Sequence, residues 1–131
     1  MNQVIICDID GTLALCGDRN PYDASTCEQD GLNHPVASII KHHAVILVSG
    51  RMEDFRPHTE RWLKVHDINY GALFMRPSGD TRKDYIVKKE IYDFKIKDKY
   101  NVLFVVEDRT RVVRMWREQG LVCLQCADGD F

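Results

Sequence analysis

Five short apolar runs punctuate the chain: Val4 to Cys7, Ala44 to Val48, Ala72 to Met75, Val102 to Val106 and Leu121 to Leu124. Each has the length and near-continuous hydrophobicity of a strand buried on both faces. Between them, Pro35 to His43, Phe55 to Asp67, Thr81 to Lys97 and Thr110 to Gln119 carry apolar residues three and four apart, the spacing of one helical face. Pro35 suits a helix start and Gly120 a helix stop. Strands alternating with helices predict a doubly wound, Rossmann-like α/β fold: a five-stranded parallel sheet with helices on both faces. The segment from Gly11 to His34 breaks the alternation. It is rich in Gly, Asp, Asn and Cys and long for a loop, so it predicts a small flap or lid.

Composition narrows the picture. The 131 residues, 44% hydrophobic and 29% charged, are expected to form a single domain over 1–131. A net charge of −2 excludes the broad basic footprint of a duplex-coating protein. The charge is nevertheless uneven: residues 1–80 hold 7 Lys and Arg against 11 Asp and Glu, whereas residues 81–120 hold 11 against 7. No apolar run approaches the roughly 20 residues of a membrane span, and no basic leader precedes the first strand, so a soluble cytoplasmic protein is expected. The odd set Cys7, Cys16, Cys27, Cys123 and Cys126 argues for reduced thiols, with the Cys123/Cys126 pair structural. His42 and His43 read as helix C-terminal residues rather than metal ligands. His34, His58 and His66 have no Ser or Cys partner at a suggestive spacing, which disfavours a His-driven hydrolase. Trp62 and Trp116, at helical spacing among apolar neighbours, read as core.

In an open α/β sheet, ligands sit beyond the carboxyl ends of the strands, so the residues just after each apolar run are the informative ones. The first run leads into Asp8-Ile9-Asp10-Gly11-Thr12, the second into Ser49-Gly50-Arg51 and the fourth into Glu107-Asp108-Arg109. Four carboxylates on one rim repel one another unless a cation lies among them, and an all-oxygen donor set points to Mg²⁺. Alternation at a strand end turns Asp8 and Asp10 the same way, so one can attack while the other manages protons. Gly11 allows the sharp turn that follows.

This ordered set resembles the haloacid dehalogenase superfamily of phosphotransferases, with Asp8, Ser49, Lys88 and the Glu107-Asp108 pair in the places of its four motifs. Asn20 to Asp23, Val48 to Arg51, Gly79 to Asp84, Glu107 to Thr110, Met115-Trp116 and Gly129 to Phe131 narrow the likeness to the 3′-phosphatase domain of phage polynucleotide kinase-phosphatases, over nearly the whole chain. The resemblance implies that Asp8 is the nucleophile, forming an aspartyl-phosphate. Asp10 would protonate the leaving hydroxyl and then activate water, a task suited to an acid among anions. Ser49 and Lys88 would hold the transferring phosphoryl oxygens. Asp8, the main-chain carbonyl of Asp10, Glu107 and Asp108 would hold Mg²⁺, with Glu107 departing from the family's aspartate. Lys88 is preferred over Lys83 because it follows Asp84 by four residues. Thr12, Arg19, Gly50, Arg51, Arg82, Asp84 and Arg109 complete the substrate-binding candidates, Arg19 and Arg51 as contacts to the scissile phosphate or its neighbour. Arg111 is a further strand-guiding candidate.

The likeness also implies the strand order fifth, fourth, first, second, third, a minimal cap, and Mg²⁺-dependent removal of 3′-phosphates from DNA or RNA ends in phage nucleic-acid repair. The expected partners are 3′-phosphorylated single strands, nicks or tRNA breaks. No GxxxxGK[ST] phosphate loop occurs, so a 5′-kinase module would be separate or missing. Two alternatives stay open: a phosphatase for mononucleotides or other small esters, and a phosphate-binding module without turnover.

Overall fold

The computed structural model describes every residue except Pro21, which belongs to the Asn20 to Asp23 motif. Strands β1 (Asn2–Cys7), β2 (Ala14–Leu15), β3 (Gly31–Leu32), β4 (Val45–Met52), β5 (Ala72–Arg76), β6 (Tyr100–Glu107) and β7 (Cys123–Gln125) alternate with helices α1 (His34–Ile40), α2 (Arg56–Val65), α3 (Asp84–Ile91) and α4 (Thr110–Glu118). Five of the strands form one sheet in the order β5-β4-β1-β6-β7, every neighbouring pair parallel. This is the order the resemblance implied. β2 and β3 pair antiparallel within the segment expected as a flap.

Alternation along β1 sorts the core into two layers. Ile5 and Cys7, with Val45 and Leu47 of β4, pack against Val36 and Ile40 of α1 and Trp62 and Leu63 of α2. Val4 and Ile6, with Ile46 and Val48, meet Val112, Val113, Met115 and Trp116 of α4 and the turn after α3. Helices therefore cover both faces, and the middle of each central strand, Val4 to Cys7, Val45 to Val48 and Val105 to Val106, is apolar because neither of its faces meets water there. Both indoles are 1% exposed.

The boundaries differ from the sequence expectation where side chains compete for the backbone. β4 runs on through Ser49-Gly50-Arg51, its register to β5 shifting between Ser49 and Met52, where the Ser49 hydroxyl accepts the Arg51 N–H at 3.1 Å. The helix expected from Thr81 starts only at Asp84. The Asp80 carboxylate accepts the N–H of Arg82 at 3.0 Å and stabilises a turn there instead. That helix ends in a π-helical turn over Tyr92–Ile96. The last strand begins at Cys123, because Gly120 (φ 84°) and Leu121 are used in closing α4.

Candidate active site

The carboxyl ends of β1, β4 and β6 lie side by side; Asp8 directly follows β1, Glu107 ends β6, and Ser49 sits fully buried within β4, where the register to β5 begins to shift. β1 ends where Asp8 donates its N–H to Val106 at 3.0 Å. The chain then turns through Gly11, whose φ of 80° suits glycine and whose missing Cβ leaves room for the Asp108 carboxylate. Thr12 consequently folds back under Asp8.

Asp8 is held at both oxygens. Oδ1 accepts from Lys88 Nζ at 2.8 Å and Oδ2 from Thr12 Oγ1 at 2.8 Å. The same threonine hydroxyl lies 3.1 Å from Asp108 Oδ1, and the same ammonium lies 3.0 Å from Glu107 Oε1 and 3.4 Å from Asp84 Oδ2. Lys88 is 1% exposed, whereas its rival Lys83 lines a separate cleft between α3 and α4. Asp8, Glu107 and Asp108 each offer an oxygen within 4.8 Å of the others. Burial alone would push Asp8 up, but the Lys88 charge and its hydrogen bonds bring it below the ordinary carboxylate range. Burial first, and then the Asp8 charge, push Glu107 well above that range and Asp108 up to about 7. Burial would lower Lys88, but Asp8, Asp84 and Glu107 raise it well above an ordinary lysine. The cluster thus holds three carboxyl groups against one ammonium, and full ionisation of all three needs a further cation. Hard oxygen donors with surplus negative charge suit a small divalent cation.

Asp10 lies on the same cavity, about 300 Å³ in volume, but it is not the acid among anions that was expected: the Gly11 turn carries its carboxylate to two guanidinia instead of the acidic cluster. Oδ1 accepts from Arg51 Nη2 at 2.6 Å and from Arg19 Nη2 at 2.9 Å, while Arg51 Nε reaches Oδ2 at 3.0 Å. Both guanidinia also bond Asp30, Arg19 at 3.0 Å and Arg51 at 3.3 Å. Arg51 is buried and gives its remaining Nη1 to Thr59 at 3.0 Å. The two arginines expected on the phosphate are therefore committed to carboxylates. Asp30, whose carbonyl accepts the Trp62 indole N–H at 2.8 Å, escaped sequence reasoning. Nothing in its loop setting separates it from a solvated acid; its signal is the need of two buried guanidinia for a second anion.

The remaining candidates divide. Gly50 lies where a Cβ would overlap the Asp84 carboxylate. Arg82 lines the cavity while exposed and paired with Asp80 at 2.7 Å and Glu90 at 2.6 Å. Arg109 lines it too, 3.9 Å from Asp84. Arg111 lies in the α3/α4 cleft instead. Arg76, which sequence reasoning passed over, braces the site by donating to the Gly50 carbonyl at 2.8 Å and to Asp84 at 3.3 Å.

Comparison with known proteins follows the same lines. The family described as the polynucleotide kinase PNKP phosphatase domain, of haloacid dehalogenase type, matches residues 2–131. The chain belongs to this family. Among relatives of this phosphatase domain, a protein of Autographa californica nuclear polyhedrosis virus, named as a bifunctional polynucleotide kinase/RNA ligase, is 39% identical over 124 residues, covering 88% of this chain and 18% of the viral one. Two solved structures of the Pnkp1/Rnl/Hen1 complex contain a chain with the same fold. In one, titled as an RNA repair complex, the TM-score is 0.97 at 48% identity, over 99% of this chain and 44% of the other. The second gives 0.98 at 47% identity, over 100% and 48%. The PNKP-type phosphatase domain thus spans less than half of each of these longer chains. Among its described residues, no helix is long and apolar enough to cross a membrane.

Proposed function

We propose that residues 1–131 form one phosphatase unit, a Mg²⁺-dependent polynucleotide 3′-phosphatase that works through an aspartyl-phosphate. The carrying observation is the environment of Asp8: ionised, fixed by Lys88 and Thr12, and facing the same cavity as Asp10. The RNA repair complex that contains one of the matched chains and the viral relative's name favour RNA ends and neighbouring kinase and ligase modules as the working context.

Asp8 attacks phosphorus, and the bond from phosphorus to the 3′ oxygen breaks in line. Asp10 must first take up a proton and leave the grip of Arg19 and Arg51, and it then gives that proton to the departing oxygen. It then takes a proton from the water that displaces phosphate from Asp8. Lys88 spreads its charge over the phosphoryl oxygens as well as Asp8, and Ser49 is the second residue to hold them. Asp8, Glu107 and Asp108, with the Asp10 carbonyl, are the residues to hold Mg²⁺, which when bound offsets the repulsion between carboxylate and phosphate.

Phosphate release from matched 3′- and 5′-phosphorylated oligonucleotides and from free nucleotides, with and without chelator, tests this reading. Preference for 3′ ends, and loss of at least about 10³-fold in Asp8→Asn, is the expected result; losing a nucleophile typically removes this much or more. Equal turnover of 5′ ends or mononucleotides would replace it with a small-ester phosphatase, and an unimpaired Asp8→Asn would end the aspartyl-phosphate.

A further inference from the structure

The Gly129 to Phe131 segment has no part in the chemistry of Asp8, yet its last residue, Phe131, lines the same cavity. Its backbone is tied to the loop that carries Asp108. Thr110 donates its N–H to the Gly129 carbonyl at 2.8 Å, and Gly129 lies so close to the Asp108 carbonyl that a Cβ would overlap it. Arg109 Nε donates to the Phe131 carbonyl at 2.8 Å, and the guanidinium carbon sits 5.0 Å from the centre of the Phe131 ring. The ring is thus placed by a cation and anchored at its backbone, but stays 63% exposed. An exposed phenyl ring held in place at the mouth of a charged cavity leaves apolar area in water that a flat ligand can cover.

We propose that Phe131, clamped by Arg109, is the stacking platform for the nucleobase of the 3′-terminal nucleotide. This rests on the 3′-phosphatase reading and extends it to the substrate's base. Stacking suits an enzyme that must accept any terminal base, because every base has a π-face, and the guanidinium against the ring adds cation–π attraction. The other aromatic candidates are less suited. Tyr22 also lines the cavity and is 86% exposed, but among the described residues no cation lies against its ring as Arg109 does against Phe131. Trp62 and Trp116 are buried, and Phe55 tilts against His58 at 6.5 Å.

The test compares kcat/KM on two 3′-phosphorylated oligonucleotides that differ only in whether the terminal sugar carries a base. The wild-type chain should favour the base by about 5- to 100-fold, the range for one stacked base. Phe131→Ala should reduce that preference to within about twofold, and Phe131→Trp should keep it. Phe131→Leu preserves apolar bulk without a π-face and should behave as Phe131→Ala does, which decides the matter if the alanine variant melts early. A preference that survives in Phe131→Leu overturns the platform. So does a wild-type enzyme that removes 3′-phosphate well but ignores the base, and in that case the 3′-phosphatase reading stands. A wild-type enzyme inactive on every 3′ end removes both.

Discussion

Asp10 and Asp8 are two residues apart and chemically opposite in their surroundings. Asp8 sits among carboxylates with one ammonium, whereas Asp10 accepts from two guanidinia that a third carboxylate, Asp30, holds from behind. The Asp30 side chain is 3% exposed, the Arg51 side chain 1% and the Arg19 side chain 7%. Asp30→Asn would leave two desolvated cations with one anion between them. Removing one member of a buried pair costs about 3–5 kcal/mol, and the low end applies because Asp10 still offsets part of the charge. About 3 kcal/mol in a chain of this size is a fall of about 10 °C in melting temperature. Calorimetry showing a fall under about 3 °C would mean that Asp30 is not a structural counter-ion. At this scale the motif residues were legible because Asp8, Ser49 and Glu107-Asp108 each follow a strand signal. The orientation of Arg19 and Arg51 was not: their direction depends on a flap whose sequence has no periodicity, and on an anion eleven residues from Arg19.

Elements place these residues only as well as their turns allow. The β1 tip works because Gly11 takes a φ of 80° and leaves room beside Asp108; Gly50, in ordinary strand conformation at the β4 bulge, leaves room for Asp84 only by lacking a Cβ. Gly11→Ala adds strain of about 1 kcal/mol for the left-handed backbone, and its methyl group also displaces the Asp108 carboxylate. The fold should survive, since both core layers are untouched, while Mg²⁺ binding weakens at least tenfold. Titration calorimetry with MgCl₂ measures this, and an unaltered affinity would remove Asp108 from the metal site. The alternation of strands and helices was legible because two-sided burial makes the inner stretch of each central strand an apolar run. The bulge that keeps Ser49 to Arg51 inside β4, the late start of α3 at Asp84 and the π-helical turn after it were not legible. Each arises where a side chain or a tertiary contact wins over local periodicity.

Across the whole molecule, the acidic cluster links protons, metal and stability. Asp108 has an ordinary value of 3.8 and is pushed up to about 7 by burial and by Asp8, and Glu107 is displaced in the same direction. Between about pH 4 and 7 the folded chain therefore binds protons that the unfolded chain has lost. The slope of unfolding free energy against pH has the sign of protons bound unfolded minus folded, so it is negative here. The metal-free protein should lose stability as pH rises through this window. Asp8 acts oppositely, its depressed value costing stability only as pH falls below the ordinary carboxylate range. A divalent ion needs the same oxygens unprotonated, so it competes with these protons. Stabilisation by a ligand grows with its concentration over its dissociation constant, and that constant falls as Asp108 ionises. MgCl₂ should then raise the melting temperature more at pH 8 than at pH 5.5, and chelator should reverse the gain. Asp108→Asn carries no titrating group and should flatten the metal-free slope while shrinking the Mg²⁺-dependent rise. Melting curves from pH 5.5 to 8.5 with MgCl₂ or chelator decide this, and a metal-free chain that grows more stable toward pH 8 would contradict the charge balance assigned to Asp8, Glu107, Asp108 and Lys88.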